Sequence, residues 1–159
     1  RRSITLMAPS KTFNVPGLGC AFAVIPDAGL RRAFGHAMHG IVPHVNTLGL
    51  VACEAALREG GPWRSELLGY LRDNARAVER FVADQPALAM TGVEATYLAW
   101  IDARGMGVEN PQRVFEAAGV GLSDGADFGA PGFVRLNFGC PRALLDTALT
   151  RMAAALAAR

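Results

Sequence analysis

Apolar positions recur along the chain in two rhythms, and the switches between them mark out its elements. Residues 4–8 (ITLMA) form a short apolar run closed by Pro9, and residues 20–25 (CAFAVI) form a second. The unbroken second run predicts a strand of the kind buried on both faces of a parallel sheet. The turn-rich NVPGLG lies between the two. After Asp27, a good N-cap residue, Leu30, Ala33, Phe34, Ala37 and Met38 recur at helical spacing. GIVPH breaks that helix, and another helical stretch runs from about Val45 to Arg58, closing on Gly60 and Gly61.

Pro62 opens the strongest periodic segment. Leu67, Leu68, Leu71, Ala75, Val78, Phe81 and Val82 repeat at three- and four-residue spacing, while Arg64, Glu66, Arg72, Asp73, Arg76, Glu79 and Arg80 fill the solvated faces. Pro86 ends it. TYLAWID (96–102) predicts a strand, Asn110-Pro111 a capped helix start, and Gly119 its stop. SDGADFG (123–129) reads as a loop leading into the alternating strand GFVRLNFG (132–139). There Val134, Leu136 and Phe138 share one face, and Phe133, Arg135 and Asn137 the other. Cys140-Pro141 starts a last helix carrying Leu144, Leu145, Ala148, Leu149, Met152 and Leu156. The expected class is α/β, with GGP at 60–62 as the domain boundary.

Composition narrows the possible functions. The chain has 159 residues, 51% of them hydrophobic and 19% charged, enough to bury a real core. Its net charge is +2, and its basic residues interleave with acids, so no basic patch for nucleic acid or anionic lipid is expected. No apolar run approaches eighteen residues, so no membrane partner is expected and the default location is cytoplasmic. Cys20, Cys53 and Cys140 are far apart and form no CxxC, as expected of free thiols. The start RRSITLM has neither Met nor a capping signal and reads as though a segment precedes it.

Lys11, in APSKTFN, is the only lysine; the other fifteen of sixteen Lys+Arg positions are arginine. A lysine amine becomes nucleophilic only when desolvation or a nearby cation lowers its ordinary pKa of about 10.4. The plainer alternative is a surface lysine in an arginine-preferring chain. Arg135 sits within an otherwise apolar strand and needs a partner for its planar fork, either an internal acid or a substrate carboxylate. His36, His39 and His44 cluster in HAMHGIVPH, but HxxH lacks the spacing and the Glu of a zinc protease, so no metal site is expected. SDGADFG lacks the spacing and terminal Glu of a calcium loop. GxGxxG, GxxxxGK[ST] and GxSxG are all absent.

Four segments in order and spacing, APSKTFNVPGLG, GGPWRSELLGYLRDN, ATYLAWID and GFVRLNFGCPR, resemble class I/II aminotransferases, the pyridoxal-phosphate enzymes of fold type I. The likeness is strongest to their cystathionine β-lyase-like branch and covers nearly the whole chain. It implies the C-terminal part of that fold. Residues 1–62 would be the tail of the large cofactor domain, and 63–159 the small domain with its long connecting helix. It also implies that Lys11 is the Schiff-base lysine, catalytic and cofactor-binding at once, and that Arg135 binds the substrate α-carboxylate. Ser10, Asn14 and Tyr97 lie in matching motifs without an assigned role. Many relatives place an arginine eight residues after the lysine for the cofactor phosphate; Gly19 stands there, as is common in the lyase branch.

The resemblance further implies a small amino-acid substrate, a homodimer, and either amino transfer or carbon–sulfur β-elimination. The groups that pair with the pyridine nitrogen, stack on the ring and hold most of the phosphate belong, in the family, to the part before the lysine. The chain alone is therefore not expected to be competent, and its first sixty residues are expected to order poorly alone or to depend on dimerisation. The alternative from another class is a non-catalytic α/β domain that binds a ligand or partner through the Arg135 face.

Overall fold

The computed structural model describes residues 2–158, which divide into two compact units between Leu67 and Leu68. In the first, strand β1 (Thr5–Met7) pairs antiparallel with β2 (Phe22–Val24), Leu6 opposite Ala23. This corrects the parallel, doubly buried environment expected for 20–25. Residues 8–21 fold back through two successive turns, the second a 3-10 turn at Pro16–Leu18, with no crossover helix, so β2 returns beside β1 in the opposite sense. Phe22 and Val24 are exposed.

Helix α1 (Ala28–Met38) starts where Asp27 accepts a hydrogen bond from Leu30 N at 2.7 Å. Gly40, at φ +74°, turns the chain away after it. Helix α2 (Thr47–Glu59) begins two residues later than the apolar pattern suggests. Asn46 is the cap, accepting from Gly49 N at 2.8 Å, so Val45 lies outside. Gly60 alone separates α2 from α3 (Gly61–Ala83).

The second unit, which takes up the remainder of α3, is a four-stranded antiparallel sheet with helices. In chain order it adds β3 (Ala89–Met90), β4 (Leu98–Asp102), α4 (Pro111–Ala117), β5 (Ser123–Asp124), β6 (Phe133–Asn137) and α5 (Arg142–Ala157). The spatial order is β3-β4-β6-β5. The loop expected at 123–129 contains β5 and a 3-10 turn, Gly125–Phe128, because Ser123 and Asp124 find ladder partners in Arg135 and Val134. The expected alternation in β6 is present: Val134, Leu136 and Phe138 are buried, Asn137 is exposed, and Phe133 and Arg135 are half-buried.

One core cluster joins Ala99 and Ile101 of β4 and Val134 and Leu136 of β6 to Val78 and Val82, Phe115, and Leu145 and Met152 of the three helices. Asn74, 1% exposed, is the buried polar side chain among the described residues. Its amide donates to Phe138 O and Cys140 O, both at 3.0 Å, tying α3 to the β6–α5 connection. Both carbonyls lie beyond the strand ladder, so this one amide meets a need the sheet cannot.

Candidate active-site residues

Lys11 belongs to the first unit and Arg135 to the second. The segment after β1 folds into a turn through Lys11–Asn14, closed by Phe13 N to Pro9 O at 2.9 Å and Val15 N to Ser10 O at 3.1 Å. Pro9 is buried and cannot extend the strand. Asn14 adopts φ +54°, which asparagine tolerates better than most residues. Phe13 braces the turn: its ring stacks on Trp63 at 6.4 Å and lies so close to Gly60 that a Cβ there would meet Phe13 Cε1 at 2.5 Å. The 3-10 turn that follows is tied to α2 by Asn46 Nδ2 donating to Leu18 O at 2.9 Å. Lys11 is exposed on this anchored segment and pairs with no carboxylate among the described residues.

Arg135 lies at the centre of the sheet face opposite the core, with Trp100 of β4 on one side in register and Ser123 of β5 on the other. Its guanidinium donates through Nη2 to Ser123 Oγ at 3.1 Å and lies over the Phe128 ring, 4.6 Å from the centroid. It forms no ion pair among the described residues. Asp124, next in β5, is committed elsewhere, accepting from Asn110 Nδ2 at 2.8 Å and from Ala126 N at 2.9 Å. The partner that the strand position demanded is thus a hydroxyl and an aromatic face, leaving the cation unneutralised. The sequence gives little sign of Ser123 and Phe128 as neighbours, since both lie in the segment read as a loop.

The same face carries a second arginine with the opposite arrangement. Arg104 lies over Phe133 at 4.9 Å and pairs with Asp102, Nη2 to Oδ2 at 2.7 Å. Hydrogen bonds from Arg104 hold the Asp102 carboxyl below its usual range. Arg104 is a spent charge; Arg135 is an available one.

Other candidates recede. His39 and His44 line an open groove of about 980 Å³ in the first unit among Phe22, Phe34, Met38 and Val42. No cluster of three or more His, Cys, Asp or Glu able to hold a metal occurs among the described residues. The three cysteines are free. Burial pushes the Cys140 thiol up, and burial followed by the neighbouring Cys20 does the same for Cys53. No described helix is long and apolar enough to cross a membrane. Tyr97 packs its ring against Gly139, beside Thr96 at φ +67°.

No family model matches the chain. The chain is 37% identical to cystathionine β-lyase PatB of Bacillus subtilis over 97% of its own length and 42% of that protein's. It superposes on the crystal structure of OvoB with a TM-score of 0.97 and 51% identity, covering 99% of this chain and 42% of the other. Cystalysin of Treponema denticola, whose structure contains pyridoxal 5′-phosphate, gives a TM-score of 0.87 at 30% identity, over 98% and 41%. The fold is that of a C-terminal part of the pyridoxal-phosphate enzymes of fold type I. Within them the chain belongs to the cystathionine β-lyase-like branch, matching a C-terminal portion. It spans about two fifths of the length of the curated relatives it matches.

Proposed function

We propose that this chain is the part of a carbon–sulfur β-lyase or aminotransferase that carries the cofactor lysine, Lys11, and the substrate-carboxylate arginine, Arg135. One observation supports the reading: Arg135, half-buried in β6, is held by Ser123 and the Phe128 ring with no carboxylate to neutralise it, while Lys11, the only lysine of the chain, stands exposed on a braced turn. The donor set fits the cofactor as far as it goes. Lys11 is the only side-chain amine able to form an imine with an aldehyde.

Pyridoxal phosphate, when bound, supplies the electron sink that stabilises negative charge at the substrate Cα. The chain's own residues do the rest. Lys11 Nζ would hold the cofactor through its aldehyde and, as a free amine, would take the Cα proton of the substrate. Arg135 binds the α-carboxylate bidentately, which fixes the Cα–H bond relative to the base. Loss of a thiolate from Cβ would leave an enamine acid, which water hydrolyses to ammonia and a keto acid. Amino transfer would instead leave the substrate as its keto acid and pass the amine to a keto-acid acceptor. The relatives favour the first.

The proposal includes the domain assignment: 1–62 as the tail of a large cofactor domain and 63–159 as the small domain, working in a homodimer on a small amino acid. This chain by itself is not expected to turn over substrate, because the electron-sink chemistry needs groups acting together. In the complete enzyme, Lys11→Ala should lower kcat/KM for thiol release from cystathionine by more than about 10³-fold. Arg135→Ala should raise KM by about 10- to 100-fold. Retention of cofactor-dependent activity by Lys11→Ala would overturn the assignment. Loss of partner binding alone, on Arg135→Ala alone, would favour a binding domain.

A further inference from the structure

The shelf beneath Arg135 is built beyond what folding the unit requires. Phe128 is 51% exposed and contributes nothing to the buried core. Yet its position is closely set. The turn that bears it begins at Gly125, packed so tightly on Ala130 O and Phe133 that a Cβ would collide with both. Asp124 caps that turn and is itself held by Asn110. On the sheet, the Phe128 ring meets Trp100 edge to face at 5.7 Å and 89°, and Trp100 stacks on Phe133 at 5.6 Å and 14°. Edge-to-face and offset contacts of this kind fix ring orientation as well as adding area.

We propose that Phe128 and Ser123 are positioning residues for Arg135, holding its guanidinium on one face and at one corner so that its remaining N–H groups face a carboxylate. The inference rests on the reading of Arg135 as the carboxylate binder. A long arginine side chain loses several rotors on binding. A shelf that fixes them beforehand removes that cost, and a ring, unlike an acid, does so without cancelling the charge. Arg104, neutralised by Asp102, shows the alternative on the same face.

The experiment uses the full chain, ¹⁵N-labelled, and follows the arginine Nε–Hε resonances, with Arg135 assigned through Arg135→Lys. Two quantities are read: the position of the Arg135 resonance without ligand, and its response to propionate. The wild type should show Arg135 shifted upfield by the ring and moving saturably with propionate. Phe128→Leu should return the resonance to the position of the arginines that lie over no ring, and weaken propionate binding about three- to tenfold. Phe128→Tyr should preserve both, and Ser123→Ala should cause a smaller loss. An unchanged resonance and affinity in Phe128→Leu would overturn the positioning role while leaving Arg135 as the binder. A wild-type Arg135 resonance that ignores propionate, yet still collapses in Phe128→Leu, would overturn the carboxylate reading and the proposal with it.

Discussion

The two units solve the same problem with opposite success. The second buries sixteen hydrophobic side chains in one cluster, several of them at 0% exposure. In the first, Pro9 and Ile25 are the buried apolar side chains among the described residues, while Leu6, Phe22, Val24, Leu48, Val51 and Leu57 are exposed. Local structure is nevertheless well specified in both. Asp27 and Asn46 cap their helices as cleanly as Asn110 does. Caps and turns set where elements begin, and they contribute about 1 kcal/mol each; cooperative stability comes from buried area. The first unit therefore has well-defined secondary structure whose apolar faces await cover, and the second a core of its own.

The sharpest way to break this contrast is to remove a large side chain from each unit. Phe115→Ala, at a fully buried site, should cost about 3–5 kcal/mol in denaturant unfolding of the chain. Leu6→Ala, at 71% exposure, should change it by less than about 0.5 kcal/mol. Comparable losses would mean that the first unit has a core after all. A smaller effect is expected from Asn74→Ala, which leaves Phe138 O and Cys140 O without their donor. It should cost about 1–3 kcal/mol, read in the same experiment.

The least effect concerns pH. The folded Asp102 carboxyl lies below its unfolded value because Arg104 hydrogen-bonds it. A depressed acid adds stability that is fully present above the unfolded pKa of about 4 and disappears as pH falls through the folded one. Both partners are partly exposed, so solvent screening keeps the gain small. Asp102→Asn should therefore flatten the stability profile slightly below about pH 4 and leave its shape near pH 7 unchanged. A change in slope near neutral pH would assign the pair a different role.

Much of the fold was legible in the sequence because it is written locally. The period of α3, the caps at Asp27 and Asn110, and the alternation placing Arg135 opposite Val134 and Leu136 all involve residues within one element. What was not legible depends on partners far along the chain. Strands β3 and β5 are two residues each and exist only because β4 and β6 offer a ladder. The antiparallel pairing of β2 depends on β1, which lies across residues 8–21, and not on its own apolar run. The site divides in the same way. Lys11 stood out as the single lysine and Arg135 as a charge in an apolar strand, whereas Phe128 and Ser123 become its neighbours only when the 123–128 segment folds against β6.

Lys11 offers the most direct measurement. The complete enzyme, of which this chain would be the C-terminal part, is incubated with micromolar pyridoxal phosphate at neutral pH, reduced with borohydride, and the adduct located by peptide mass. Within this chain Lys11 is the only side-chain amine that can form the imine, and the terminal amine of the enzyme is the natural competitor. An ordinary α-amine, with a pKa near 8, is far more deprotonated at that pH than an ordinary lysine and should react first. The account predicts the reverse: a saturable, visible-absorbing adduct at Lys11. Labelling that goes to the terminus first, or that reaches Lys11 only in proportion to excess cofactor, would contradict it.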